Sequence, residues 1–313
     1  MRHNRLKQNV GQPPRRAPAG EGAAPQARAH FLDERAERWM FWAKGHRGPV
    51  SGDDVRELVE SGALQRYKED RREAAQEYAY EALETDDRER AHFLARQALV
   101  FDPACADARR VLADVAASSH IDRVGQLKKA LLDEEERLGA VLTEFDGRLS
   151  EAVEALPYLR TRFDLACALW AAERRPRALG HLETLRAQDA DDAVGARYPL
   201  LMARLHAGDH VGAKALLDDA RTAEAELIVR WARVLERVLA GDVAGADAAY
   251  DALRAEYGSE AESLASPPPA EFAFPGYFRD DINEYAALCL RMLHWAWHAH
   301  DASAAWLRSH ASA

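Results

Sequence analysis

Apolar residues along most of this chain recur at steps of three and four, which is the spacing of one face of an α-helix. The steps are clearest over residues 120–145, where the apolar positions are Ile121, Val124, Leu127, Leu131, Leu138, Leu142 and Phe145. No stretch alternates apolar and polar residues at period two, so β-strands are not expected. The pattern predicts an all-α protein.

The middle of the chain repeats one arrangement of residues three times. In each unit an aromatic residue starts a first helix, a bulky apolar residue follows seven positions later, and an alanine opens a second helix eight positions after that. The three sets are Phe163, Trp170 and Ala178; Tyr198, Leu205 and Ala213; Trp231, Val238 and Ala246. Successive units are offset by 35 and then 33 residues. This recurrence predicts three antiparallel helix pairs over residues 148–258.

The turns inside these units also match. Ala-Gly-Asp stands before the second helix at residues 207–209 and again at 240–242, whereas the first unit has Glu-Arg-Arg-Pro at 173–176. Pro176 suits the first turn of a helix, where its missing N–H is not needed. The stretch 91–103 is similar to the second helix of one more unit, but Ala91 precedes Ala178 by 87 residues. The apolar steps over residues 120–145 predict one long helix. Since 87 is not a multiple of the period, we expect this long helix to interrupt or extend the array.

The long helix also carries three consecutive acids, Glu134, Glu135 and Glu136. We expect them on its solvated outer face.

Composition and spacing divide the chain into segments. The predicted segments are a disordered basic tail at 1–28, N-terminal helices at 29–84, a first repeat-like pair with the long helix at 85–147, the three repeats at 148–258, and a Pro/aromatic linker with C-terminal capping helices at 259–313.

The charge of the chain is unevenly placed. The net charge is −10, but residues 1–30 carry six Lys or Arg side chains against Glu21 alone. The remainder therefore carries −15, and an acidic body makes nucleic-acid binding unlikely on this surface because phosphates favour basic groups. An alternative function is a regulatory protein that contacts nucleic acid or an acidic partner through the basic arm. No apolar leader and no run of about 18 apolar residues is present, so we expect no membrane association and a cytoplasmic location.

Catalytic and metal-binding patterns are not found in the sequence. The cysteines, Cys105, Cys167 and Cys289, are odd in number and lack paired spacing, so buried thiols are expected. The pairs His206–His210 and His294–His298 lack a third ligand. The sequence also lacks a nucleophile elbow, a GxGxxG fingerprint after a strand and a GKS or GKT run. We therefore expect no enzyme activity, no cofactor and no metal.

A period near 34 with a helix–turn–helix in each unit resembles the tetratricopeptide repeat. Residues 156–219, together with "ERAHFLARQALVFDPACADARRVLAD" upstream and "NEYAALCLRMLHWAWHAHDASAAWL" near the end, look like bacterial tetratricopeptide proteins related to the suppressor-of-tumorigenicity-seven family. The resemblance covers about residues 85–308. It implies an α-solenoid of antiparallel helix pairs, with neither an enzyme activity nor a defined ligand.

The same resemblance implies that the first helices line a concave groove. The residues that would line it, here called the apolar stripe, are Phe163, Cys167, Trp170, Tyr198, Met202, Leu205, Trp231 and Leu235. Carboxylate-clamp members of the family have Lys, Arg and Asn in such places, so an acidic C-terminal peptide is not the expected ligand. We expect a scaffold or adaptor that binds a peptide or protein in an apolar, aromatic-lined groove.

Two other interpretations of the apolar stripe stay open at this point. It could be ordinary helix–helix core, or a groove filled by the chain's own residues 266–278. That segment begins with Ser-Pro-Pro-Pro, which forbids a helix, and its aromatic residues need burial. We expect Phe272, Phe274, Tyr277 and Phe278 to dock on the last repeat. The sequence determines neither the oligomeric state nor the identity of a partner.

Overall fold

The computed structural model describes residues 71–219, 227–268 and 282–311 of the chain. The predictions for the tail 1–28, for most of the segment 29–84 and for the docking of Phe272, Phe274, Tyr277 and Phe278 fall outside these ranges. Within them every regular element is helical, apart from one isolated β-bridge between Arg148 and Asp189. The expected all-α class is confirmed for this part of the chain.

The helices follow one another with short connections. They are α1 (Arg71–Glu84), α2 (Arg88–Phe101), α3 (Ala106–Val115), α4 (His120–Leu138), α5 (Ala140–Glu144), α6 (Leu156–Ala171), α7 (Arg175–Gln188), α8 (Arg197–His206), α9 (His210–Leu217), α10 (Leu227–Ala240), α11 (Val243–Ala265), α12 (Ile282–His298) and α13 (Asp301–Ala311). Two 3₁₀ turns, Leu149–Glu151 and Val153–Ala155, lead into α6.

Helices α1, α2 and α3 pack against one another around a small hydrophobic cluster of their own. Helix α2 begins after Asp87, whose side chain accepts hydrogen bonds from the N–H groups of Glu89 and Arg90. Ala95 and Ala98 are fully buried, and their small size lets the neighbouring helices approach closely.

Helices α6 to α11 form consecutive packed pairs, and each helix also packs against the next one along the chain. Ala178, Ala213 and Ala246 each occupy the fourth position of a second helix, and all three are fully buried. These contacts confirm the helix pairs. One detail of the prediction is wrong: Phe163 lies in the middle of α6, because that helix begins seven residues earlier at Leu156.

The three turns inside these pairs have the same backbone geometry. Glu173, Gly208 and Gly241 occupy matching positions, with φ of 58°, 76° and 75°. The next residue in each turn donates its N–H to a carbonyl five positions earlier, at 2.8, 2.9 and 2.9 Å. Asp209 and Asp242 then cap the second helix by accepting the N–H three residues on, at 2.8 and 3.0 Å. The repeat is therefore one of hydrogen bonding as well as of sequence.

The long helix is shorter than expected and has neighbours on both sides. It ends at Leu138, because Gly139 takes a positive φ of 47° and starts the separate helix α5. Helix α4 packs against α3, which precedes it, and against α6, which follows it. It therefore packs between the first three helices and the repeats, and connects the two groups.

The three consecutive glutamates of α4 do not share one environment. Glu134 is 2% exposed and accepts hydrogen bonds from Arg137 Nε at 3.0 Å. Glu135 accepts from Arg162 Nη2 at 2.5 Å, and Glu136 is exposed. The expectation that all three face solvent is wrong, because a helix turns by about 100° per residue and Glu134 points towards α6 and its leading turns.

The last two helices return to the repeats. Helix α12 packs against α8 and α10, while α13 packs against α11, α10 and α12. The final helices thus form part of the packed body of the chain.

Among the residues that the structure describes, no helix combines the length and the apolar character needed to cross a membrane.

Candidate partner-binding site

The apolar stripe lies on three first helices, α6, α8 and α10. All of its members belong to the larger hydrophobic cluster, and none is more than 5% exposed. Trp231, Met202, Leu205 and Leu235 have no exposed surface at all. The structure therefore brings the predicted residues together, and it places them in contact with other parts of the chain.

Helix α12 supplies a matching apolar face. Cys289, Met292, Leu293, Ala296 and Trp297 are each at most 1% exposed and belong to the same cluster as the stripe. Their spacing of 3, 1, 3 and 1 residues marks one side of a helix. Helix α12 packs on α8 and α10, which are two of the three helices that carry the stripe, so a helix of the chain itself covers part of this array.

A groove filled by the chain itself was one interpretation of the sequence, but the segment expected to fill it was residues 266–278 and not α12. Of residues 266–278, the structure describes only the first three, and the carbonyl of Ser266 accepts a hydrogen bond from His294 of α12. The helical spacing over 289–297 was the signal that could have identified α12. That spacing predicts a helix with one buried face, but it does not identify the helices against which the face packs.

Cys167 of α6 and Cys289 of α12 lie near each other in the large hydrophobic cluster. Burial raises the pKa of the Cys167 thiol well above its ordinary value, and nearby Asp164 and Cys289 raise it further. Burial and the neighbouring Asp107 likewise raise the pKa of Cys105 in the first cluster. All three thiols are buried, and the raised pKa values keep Cys105 and Cys167 protonated at neutral pH, so neither of these two is activated as a nucleophile.

Two histidines of α12 and one just after it contact the ends of other helices. The Nε2 atoms of His294 and His298 lie 2.6 and 2.9 Å from the carbonyl oxygens of Ser266 and Leu264, and His300 Nε2 lies 3.2 Å from that of Leu205. A carbonyl oxygen only accepts, so each Nε2 carries the proton. These carbonyls lie at the ends of α11 and α8, and that of Leu205 also accepts the N–H of Gly208 at 3.0 Å.

Three of the four histidines in the two sequence pairs are engaged with the backbone or with aromatic rings. The His206 ring meets Trp170 edge to face at 5.2 Å between centroids. Burial lowers the pKa of His206 to about 4, with further lowering by Arg175 and His300. Within the described ranges, no three His, Cys, Asp or Glu side chains form a group that could hold a metal ion.

Aromatic stacking joins α13 to α12 and to the last repeat. Trp306 stacks on Trp297 at 6.0 Å and on the His310 ring at 3.9 Å. Tyr250 of α11 meets the edge of Trp306 at 5.6 Å and that of Trp231 at 5.9 Å. Such pairs contribute roughly 0.5–1.5 kcal/mol each beyond area burial. The cluster therefore connects the position of α12 to the fold of the last repeat.

A second polar feature lies between the two hydrophobic clusters. Asp107 is fully buried and accepts hydrogen bonds from Gln76 and Arg110, both at 2.7 Å, and from Arg160. Arg110 Nε also donates to Asp164 at 2.8 Å. Two acids and two arginines thus neutralise one another. The network links α1, α3 and α6, so it fixes the first helices relative to the repeats.

A small pocket of about 170 Å³ lies beside this network. Its polar lining comes from Thr85, Asp86, Arg88, Arg110, Asp114 and Asp164. Burial raises the pKa of Asp114, which Arg123 opposes from 3.6 Å. Arg110 and Asp164 are paired with each other, and Arg88 donates to the carbonyls of Asp114 and Val115.

Comparisons of the chain with protein-family models, with curated proteins and with solved structures find no match. The likeness to tetratricopeptide proteins therefore stays a prediction, founded on the repeated positions.

Proposed function

We propose that this protein is a non-catalytic helical-repeat adaptor of the tetratricopeptide type that binds a protein or peptide on the apolar stripe. The observation that carries the proposal is the seating of α12 on α8 and α10. A face that holds one amphipathic helix through apolar contacts has the shape and chemistry to hold another. The wider resemblance to bacterial relatives of the suppressor-of-tumorigenicity-seven family is part of the same proposal.

The internal repetition supports a binding function of this kind. The matching turns at Glu173, Gly208 and Gly241 keep successive helix pairs in similar geometry, so their first helices present similar faces. Stacked units of this type create an extended surface from positions that are far apart in sequence. Here that surface is apolar and aromatic, which favours helix-in-groove recognition over recognition of a charged terminus.

The residues of the stripe are poor targets for a simple binding test. Trp231 has no exposed surface, and its replacement by Ala would cost about 3–5 kcal/mol through the cavity that it leaves. A lost interaction could then reflect unfolding. A better probe is a photoactivatable phenylalanine analogue at half-buried His206, whose ring touches Trp170 at the rim of the stripe.

The matched control is the same analogue at Phe93 of α2, which is 59% exposed and belongs to no part of the stripe. Both full-length variants are irradiated in lysate from the native cell, after circular dichroism has shown unchanged helicity. We expect a specific protein to be captured from position 206 and not from 93. Capture from 93 alone would exclude the stripe as the site, and capture from neither would contradict an adaptor function.

A further inference from the structure

Helix α12 has the two-sided character of a bound ligand. Its buried side consists of Cys289, Met292, Leu293, Ala296 and Trp297. Its other side is exposed at Arg291 and half-buried at His294, Trp295 and His298. A helix with this distribution gains most of its stability from the surface that it covers.

The position of α12 also departs from the order of the other pairs. As the first helix after the α10–α11 pair, it packs against α10, and it extends further to pack extensively against α8. The hydrogen bond between His300 and the Leu205 carbonyl spans 95 residues. Helix α12 therefore lies across two repeats, as a peptide lies across a groove.

We propose that α12 is an exchangeable internal ligand of the apolar stripe, and that the partner presents an amphipathic helix with apolar side chains at positions i, i+3, i+4, i+7 and i+8. This inference rests on the proposed function and names its partner class. A small residue belongs at i+7 and a large aromatic one at i+8, where α12 has Ala296 and Trp297.

The flanking contacts specify the polar part of the same partner. His294, His298 and His300 stand at i+5, i+9 and i+11, and each donates to a carbonyl at the end of α11 or α8. The carboxyl ends of helices favour positive charge. A partner helix with His, Lys or Arg at i+5 and i+9 would replace these bonds, whereas one with acids there would be repelled.

A free partner helix must exceed a minimum affinity to displace α12, because α12 is attached to the same chain as the stripe. A tether holds a segment at an effective concentration of about millimolar, so a free helix must bind well enough to overcome that advantage. The closed state then predominates without partner, with an open fraction of roughly 0.1–10%. Partner binding would convert this minor state into the major one.

The three buried cysteines allow a test on the wild-type chain. Cys289 lies on α12, Cys167 lies near Cys289 in the same cluster, and Cys105 belongs to the separate first cluster. A maleimide reagent is added with and without excess peptide of residues 282–300, synthesised with Cys289→Ser. Mass spectrometry then gives the labelling rate at each site. The control peptide carries Leu293→Asp and Trp297→Asp as well.

We expect the peptide to displace α12, so that Cys289 labels about tenfold faster, in keeping with the shift from minor to major state. Cys167 should stay protected because the peptide covers it, and Cys105 should not change. The control peptide should have no effect. Equal rates at all three sites would indicate global unfolding, and an unresponsive Cys289 would indicate a permanent core helix; either result overturns the proposal.

A second copy of the chain is the competing occupant. Light scattering coupled to size exclusion would detect it as a dimer in which a swapped α12 again protects Cys289, and this result would also overturn the proposal. The outcome is separable from that of the proposed function. Capture of a partner at position 206 with an unresponsive Cys289 would mean that the partner binds beside His206 while α12 stays in place, which would support an adaptor function but overturn the exchange of α12.

Discussion

Asp107 and Arg160 form a buried ion pair across 53 residues of sequence. Asp107 lies near the start of α3, and Arg160 lies in the first half of α6. The pair lies where the small cluster of α1–α3 ends and the large cluster begins. Because burying charges carries a large desolvation cost, such a pair persists only when every member is compensated. Asp107 is the centre of that compensation.

We predict that Asp107→Ala lowers the free energy of unfolding by about 3–5 kcal/mol, because Arg110 and Arg160 would keep their buried charges without this partner. Urea denaturation followed by circular dichroism measures the loss. The matched control is Asp218→Ala, whose carboxylate is 47% exposed and pairs with Lys214 and Arg233 at the surface. Its effect should stay below about 1 kcal/mol. Similar losses in both variants would show that burial of the network contributes nothing special.

The acids of α4 give a comparison between near neighbours. Glu134 is buried against Arg137, and burial raises the pKa of Glu134 while that arginine opposes the shift. Glu134→Ala should destabilise the fold by about 1–3 kcal/mol, because a buried hydrogen-bonded charge pair is broken. Glu136→Ala, two residues away on the exposed side, should change stability by about 0.5 kcal/mol or less. Thermal unfolding of both variants tests the assignment, and equal effects would contradict it.

Glu173 occupies a backbone position that favours glycine. Its φ of 58° matches those of Gly208 and Gly241 in the next two units. A side chain in this region carries a steric cost that glycine avoids, so Glu173→Gly should stabilise the chain by about 0.5–1 kcal/mol. The melting temperature by calorimetry should rise.

The reciprocal change provides the control. At Gly241 a Cβ atom would meet no heavy atom within 4 Å, so Gly241→Ala tests the backbone conformation without a clash. It should lower stability by about 1 kcal/mol. If Glu173→Gly destabilises instead, the glutamate side chain contributes more than its backbone strain costs.

Two histidines should make stability depend on pH. Burial lowers the pKa of His181 to about 4, aided by Arg162, and His206 is lowered to the same range. Between the ordinary pKa of 6.5 and about 4, the unfolded chain binds protons that the folded chain does not. The free energy of unfolding should therefore fall as pH falls through this window. Urea denaturation at pH 7 and pH 5 measures the decline, which His181→Gln with His206→Gln should reduce.

Asp192 should act in the opposite direction. Burial raises its pKa from 3.8 to about 6, although Arg186 and Arg197 oppose the shift. Between those values the folded chain binds a proton that the unfolded chain does not, so this group gains stability as pH falls. Asp192→Asn should therefore steepen the decline between pH 7 and pH 5. An unchanged decline would mean that Asp192 stays ionised in the fold over this range.

The sequence predicted those features of the fold that depend on local spacing. The helix pairs predicted over 148–258, and the alanines at 178, 213 and 246 near the start of each second helix, follow from periodicity. The turns could be aligned because Gly208 and Gly241 share a backbone requirement. Glu173 could not be recognised as left-handed, since nothing in its residue type demands that conformation.

What the sequence could not provide was the choice of neighbours. Periodicity shows that Leu293 and Trp297 belong to one apolar helix face. It does not identify the helices that pack against this face. The same holds for Glu134, which resembles its exposed neighbours until Arg137 and α6 are in place. The Asp107 network was missed because its members lie on three helices, and their pairing depends on tertiary packing.

The attachment of α12 to α8 has a consequence for synthesis of the chain. Most contacts among the helices join elements that follow one another closely, and such contacts can form as soon as both have left the ribosome. The contact between His300 and Leu205 cannot, because 95 residues separate them. In a nascent chain that has folded through α10, the parts of α8 and α10 that α12 covers stay uncovered until α12 emerges. Because uncovered apolar surface promotes aggregation, we expect mutations that slow the packing of α12 to appear first as aggregation of new chains.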